Sequence, residues 1–143
     1  MQATYDDATL LLRLYELRRD EKMREARAWF MATFKPKSMP ELQELCPPGS
    51  VNNGFMRQVV TYWDMAASFV NGGVLNPELF FDNNRECLVV WLRVRKLLPE
   101  MRAAYKDASY WKHLESAGIQ YCAYMEKSSP GSLEAFAARV GAA

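Results

Sequence analysis

Histidine occurs once in this chain, at His113. A single imidazole excludes metal sites built on paired histidines and the H-E-x-x-H zinc motif. It restricts any nucleophile–base pair to His113 with a Cys, Ser or Thr from elsewhere. Carboxylate-rich metal sites in helical bundles rely on Glu-x-x-His pairs, and none occurs here. The three cysteines, Cys46, Cys87 and Cys122, are odd in number and far apart, without a C-x-x-C pair. That argues against a disulfide framework or a zinc knuckle, so Cys87 and Cys122 read as small buried hydrophobes. No metal and no cofactor is expected.

β-Branched residues are also scarce, with Ile119 the one isoleucine and four threonines in all. No stretch keeps up apolar/polar alternation, so strands are not expected. No apolar run approaches bilayer length, and no basic segment precedes an apolar one at the start. A cytoplasmic protein without membrane segments is the expectation. Neither sign of charge dominates: 18 Lys and Arg face 17 Asp and Glu, for a net charge of +1. That balance weighs against a dedicated nucleic-acid binder.

What is present is helix-forming. Ala, Leu, Met, Glu, Lys and Arg dominate, and half of the 143 residues are hydrophobic. The expected fold is all-α: residues 1–143 as one domain, a bundle of four longer helices plus short helical pieces. The first long helix is expected over 7–33, capped by Asp6 or Asp7, with Asp20/Arg24 and Arg18/Glu21 as surface pairs one turn apart. Ser38 and Glu41 form a candidate capping box for a short helix at 40–45. Asn52 or Asn53 caps the next, over 54–71, whose apolar stripe is Phe55, Val59, Tyr62, Ala66 and Phe69. Gly72-Gly73 closes it. Asn76-Pro77-Glu78 opens a turn at 77–81. A central helix follows at 84–97, and Pro99 kinks it or starts a segment reaching Tyr105. Another helix spans 109–127, and a short one runs from Ser132 to Val140.

Two groups of residues stand out as candidate sites. Tyr62, Trp91, Arg102, Tyr105 and His113 could line an aromatic pocket between the 54–71, 84–97 and 109–127 helices. Arg93, Arg95, Lys96 and Arg102 form a candidate anion patch near a helix C-terminus, where the helix dipole also favours positive charge. Asp64 falls about opposite the Tyr62/Ala66 stripe and reads as solvated or interfacial. The polar loop Gly49–Gly54 precedes a helix but lacks a phosphate-binding lysine.

The segments Tyr62-Trp63-Asp64, Val70-Asn71-Gly72, Pro77-Glu78-Leu79-Phe80-Phe81, Trp91 and Leu98-Pro99-Glu100-Met101-Arg102 together resemble a bacterial family of short helical proteins, domain of unknown function 4760. The resemblance covers about residues 55–125. It implies an all-helical fold and carries no catalytic residue across.

The missing chemistry and the surplus of large aromatics point first to a non-enzymatic helical domain acting by protein–protein contact, most simply as a homodimer. A small-molecule binder or an enzyme using the aromatic pocket is the alternative. Nucleic-acid binding through the basic patch comes third.

Overall fold

A computed structural model describes residues 1–142. Among them are nine helices and no strand. In chain order these are α1 (Tyr5–Arg18), α2 (Glu21–Thr33), α3 (Met39–Leu45), α4 (Val51–Asn71), α5 (Pro77–Asn83), α6 (Arg85–Val94), α7 (Leu98–Tyr105), α8 (Lys112–Ser128) and α9 (Ser132–Arg139).

The expected helix over 7–33 is two helices. Asp20 leaves the helical conformation, and its carboxylate accepts hydrogen bonds from the backbone N–H groups of Lys22 (3.1 Å) and Met23 (3.3 Å). An aspartate that bonds backbone competes with the helix it would otherwise continue. The charged middle of the segment is therefore a break, and α1 and α2 pack against each other.

Caps elsewhere also differ from expectation. Thr4, rather than Asp6 or Asp7, caps α1, and Asp7 closes the box by accepting from the Thr4 N–H at 2.7 Å. Ser50 caps α4. Asn52 and Asn53 instead reach back, donating to the carbonyls of Leu45 (3.0 Å) and Cys46 (3.2 Å) at the end of α3. Ser38 caps α3 as expected, but Glu41 turns to the Lys37 N–H. Asn76 caps α5 with Pro77 behind it, as the sequence predicts. Gly73, in the left-handed region at φ +75°, supplies the turn after α4. Pro99 opens a new helix, α7, so the central segment ends at Val94.

α4 lies at the centre, with α2 and α8 packed against it; α6 lies on α8 and α4, and α9 on α8. Because α4 has neighbours on both sides, its buried face is wider than the expected stripe and is rotated from it. Met56, Val60, Trp63, Ala67 and Val70 are buried along with Val59 and Ala66, whereas Phe55, Tyr62 and Phe69 flank the core. Every residue from Cys87 to Val94 is buried, so α6 presents little polar surface, as its composition predicts. Each fully buried Leu, Val or Phe of this core contributes roughly 1.5–3 kcal/mol.

Trp91 of α6 meets α8 at Gly118, and Trp111, itself in the left-handed region at φ +52°, starts α8. As the N-cap residue, Trp111 offers α8 no side-chain hydrogen bond. Asp64 of α4 does that work from a neighbouring helix, accepting from the Leu114 N–H at 2.9 Å.

Candidate functional site

The five side chains read as a pocket make contacts that do not converge on one space. Tyr62 donates its hydroxyl to the Leu14 carbonyl of α1 (2.5 Å), and burial pushes its pKa up to about 12. Trp91 is buried in the core against Gly118. Arg102 donates from Nε to the Tyr110 carbonyl and from Nη1 to Glu115, both at 3.0 Å. Tyr105 is exposed and meets the edge of Tyr110 at 5.3 Å. His113 is half-buried, and its carbonyl accepts from Asn71 at 3.0 Å. Tyr110 thus draws Arg102 and Tyr105 together on the α7–α8 connection, while Tyr62, Trp91 and His113 serve separate seams.

The four residues read as an anion patch divide three ways. Arg102 is paired with Glu115. Arg95 lines a groove with Glu126, Leu133 and Glu134 at the α8–α9 end. Arg93 and Lys96 stay together, and two lysines that the sequence reading passed over join them. Lys35 and Lys37, from the α2–α3 connection, share with Arg93 and Lys96 the lining of a small cavity closed by Gly141 and Ala142. Arg93 is 6% exposed. It donates from Nη1 to the Phe30 carbonyl (2.7 Å) and from Nε to the Val140 carbonyl (3.0 Å). Burial pulls its pKa below the usual arginine value, although a guanidinium stays charged. Lys37 donates its ammonium to the Gly141 carbonyl at 2.6 Å.

A polar junction between α1, α2, α4 and α6 also went unread in the sequence. Glu86 accepts a fork from Arg27, with Nε at 3.0 Å from each oxygen and Nη2 at 2.8 Å from Oε2. The Trp63 indole N–H donates to the same carboxylate at 3.1 Å. Arg27 also caps the last carbonyl of α1, Arg18, at 3.2 Å. The Arg18 guanidinium lies 5.1 Å from the centre of the Trp63 ring and 5.4 Å from that of Tyr15. Arg27 and Glu86 are 59 residues apart, a separation that no periodicity reports.

The solvent side of α1 exposes four large apolar side chains among charged ones. Tyr5 is 86% exposed, Leu12 61%, Tyr15 49% and Leu17 43%. Beside Leu17 a groove of about 620 Å³ runs between α1, α2 and α4, lined by Met23, Tyr62 and Met65 with Glu16 and Asp20 at the α1 end.

A family model, domain of unknown function (DUF4760), matches residues 3–118, about 80% of the chain. The chain belongs to this family. The matched span is longer than the 55–125 resemblance read from the sequence, and it takes in α1 and α2. The DUF4760 region therefore holds the exposed α1 face, the Arg27–Glu86–Trp63 junction and all four cations of the small cavity, and it stops at Gly118. No curated protein and no solved structure matches the chain. Among the described residues, no helix is long and apolar enough to cross a membrane. Nor do three or more His, Cys, Asp or Glu side chains gather there as a metal site would need.

Proposed function

We propose that the chain is one cytoplasmic helical domain that acts by protein–protein contact, without chemistry of its own, and pairs with a second copy through α1. The exposed apolar side chains of α1 carry this reading. Leu12 and Leu17 flank its solvent side, and Arg13 and Glu16 lie between them. In an antiparallel pairing of two α1 helices about a two-fold axis, Arg13 of one copy comes opposite Glu16 of the other, and the reverse. The same patch then satisfies itself, as an isologous interface requires. Within one copy Arg13 and Glu16 hold each other only loosely, at 3.9 Å and well exposed. The groove beside Leu17 extends the apolar area, and its methionines Met23 and Met65 can repack around an incoming side chain.

Light scattering across the micromolar range tests the pairing. The expected result is a dimer for the native chain and a monomer for Leu12→Glu/Leu17→Glu with unchanged helical content. A native chain that stays monomeric throughout would overturn it.

The small-molecule reading has less support. Trp91 is packed into Gly118, and Glu115 and the Tyr110 carbonyl already engage Arg102. The nucleic-acid reading loses its continuous patch when Arg95 and Arg102 turn away from Arg93 and Lys96.

A further inference from the structure

The turn between α1 and α2 consists of Arg19 and Asp20, and residues 5–33 hold no glycine and no proline. A helix-forming sequence that nonetheless bends sets local preference against packing. Arg19 keeps helical dihedrals, at φ −84° and ψ −9°, so the bend is concentrated at Asp20, with φ −51° and ψ 140°. Turning that ψ back to the helical region, with a smaller adjustment at Arg19, makes α1 and α2 a single helix. The straight form offers the N–H groups of Asp20 to Met23 the carbonyls of Glu16 to Arg19, in place of the two bonds that the Asp20 carboxylate now accepts. Arg19 to Lys22 are exposed, so the longer helix leaves the start of α2 into solvent.

α1 is held to the rest of the chain by contacts that another copy's α1 can make unchanged. Its one buried apolar side chain is Leu14. The Leu14 carbonyl accepts from Tyr62 of α4 at 2.5 Å, and the Asp7 carboxylate accepts from the Asn76 N–H at 2.8 Å. The Arg27 bond to the Arg18 carbonyl lies beside the turn itself and is given up on straightening. Exchange of an identical element is a low-cost route to a dimer, because the docking contacts are the same and only the hinge changes; short hinges invite it.

We propose that α1 is an exchangeable arm: the turn at Arg19–Asp20 straightens, and α1 docks against α4 and α5 of a second copy, whose own α1 docks here in return. The solvent side of α1, with Leu12 and Leu17, stays exposed in either form, so the exchange is separate from the α1–α1 pairing.

Refolding from urea at high protein concentration, followed by dilution and light scattering, tests the proposal, since α1 must leave its own copy before it can reach another. All chains carry Leu12→Glu/Leu17→Glu, which removes the α1–α1 pairing, so a failure of that pairing and a failure of exchange are read in different proteins. Asp20→Ala deletes the cap that holds the bend. Glu21→Pro locks the bend: proline suits the first position of α2 and the extended ψ of Asp20 before it, but would break a continuous helix there. The expected result is a species of twice the monomer mass that outlasts dilution, more abundant in Asp20→Ala and absent in Glu21→Pro. In that dimer the amides of residues 20 and 21 should exchange hydrogen more slowly than in the monomer, because they gain carbonyl partners one turn back. Monomer throughout overturns the proposal. So does a dimer that Glu21→Pro leaves intact, one that Asp20→Ala does not increase, or one whose amides at 20 and 21 exchange as in the monomer. If Asp20→Ala does not refold, the chain with Asp20 intact decides alone: it must give a dimer that Glu21→Pro removes.

Discussion

The indole of Trp91 occupies the space that any side chain at residue 118 would need. A Cβ built on Gly118 would lie 2.3 Å from Trp91 Cγ, a separation that ordinary packing never reaches. Both residues are buried, so neither can move aside into solvent. Gly118→Ala should overpack this seam at roughly 1–3 kcal/mol, offset by up to about 1 kcal/mol from better helix propensity. A net loss of stability in urea unfolding is expected, with a shift in tryptophan emission. Adding Trp91→Phe should recover part of the loss; if Gly118→Ala alone is stabilising, the contact is not rigid.

Asp64 should matter to a helix in which it does not reside. Its carboxylate is the side-chain acceptor at the start of α8, through the Leu114 N–H. Asp64→Ala is expected to cost about 1 kcal/mol, the usual effect of losing a helix cap. Asp64→Asn keeps an acceptor oxygen and should cost less. Hydrogen exchange at Leu114 should quicken in the alanine variant while exchange within α4 is unchanged.

Acid should weaken the α1–α5 connection through Asp7. Hydrogen bonds from the Thr4 and Asn76 backbone N–H groups hold this carboxylate's pKa below the ordinary aspartate value. A lowered folded-state pKa means that the stabilisation is fully present above the unfolded value, near 4, and is lost as pH falls through the folded one. The stability difference between the native chain and Asp7→Asn should thus be constant from neutral pH to about 5 and shrink below about 4. A difference that does not change down to the acid transition would remove Asp7 as its source.

Glu86 joins three helices, since its carboxylate serves Arg27 of α2 and Trp63 of α4 from its place on α6. Glu86→Ala strands the partly buried Arg27 fork and the Trp63 indole N–H together, for an expected loss of about 2–3 kcal/mol. Glu86→Gln retains an acceptor and should lie between that variant and the native chain. A double-mutant cycle with Arg27→Met should show strong coupling, and additive losses would show that the fork contributes little.

Helix existence was largely legible in the sequence because it rests on local composition and punctuation. Asn76-Pro77 opens α5, Gly73 ends the α4 turn and Ser38 caps α3, each as its side chain or backbone freedom dictates. The misreadings have one cause. Asp20 could serve as a surface partner of Arg24 or as a cap for α2, and only the packing of α1 against α2 decides between them. Periodicity placed the face of α4 on Tyr62, yet a helix covered on both sides buries Trp63 as well. The sites were less legible still. Lys35 and Lys37 lie nearly 60 residues from Arg93 and Lys96 in sequence, and Asp64 lies 50 from Leu114. Contacts of that span leave no spacing signal in a single chain.

Asn52 and Asn53 tie the end of α3 to the start of α4 by side-chain bonds that do not pass through the Pro47–Ser50 connection. Continuity of the chain there is consequently not what keeps the two helices in register. Pro48 and Gly49 are exposed, and Gly49 has open space around it. The peptide bond between them is thus a natural point for new chain ends. A backbone cut at that bond would leave both asparagine clamps in place, holding the end of α3 to the start of α4.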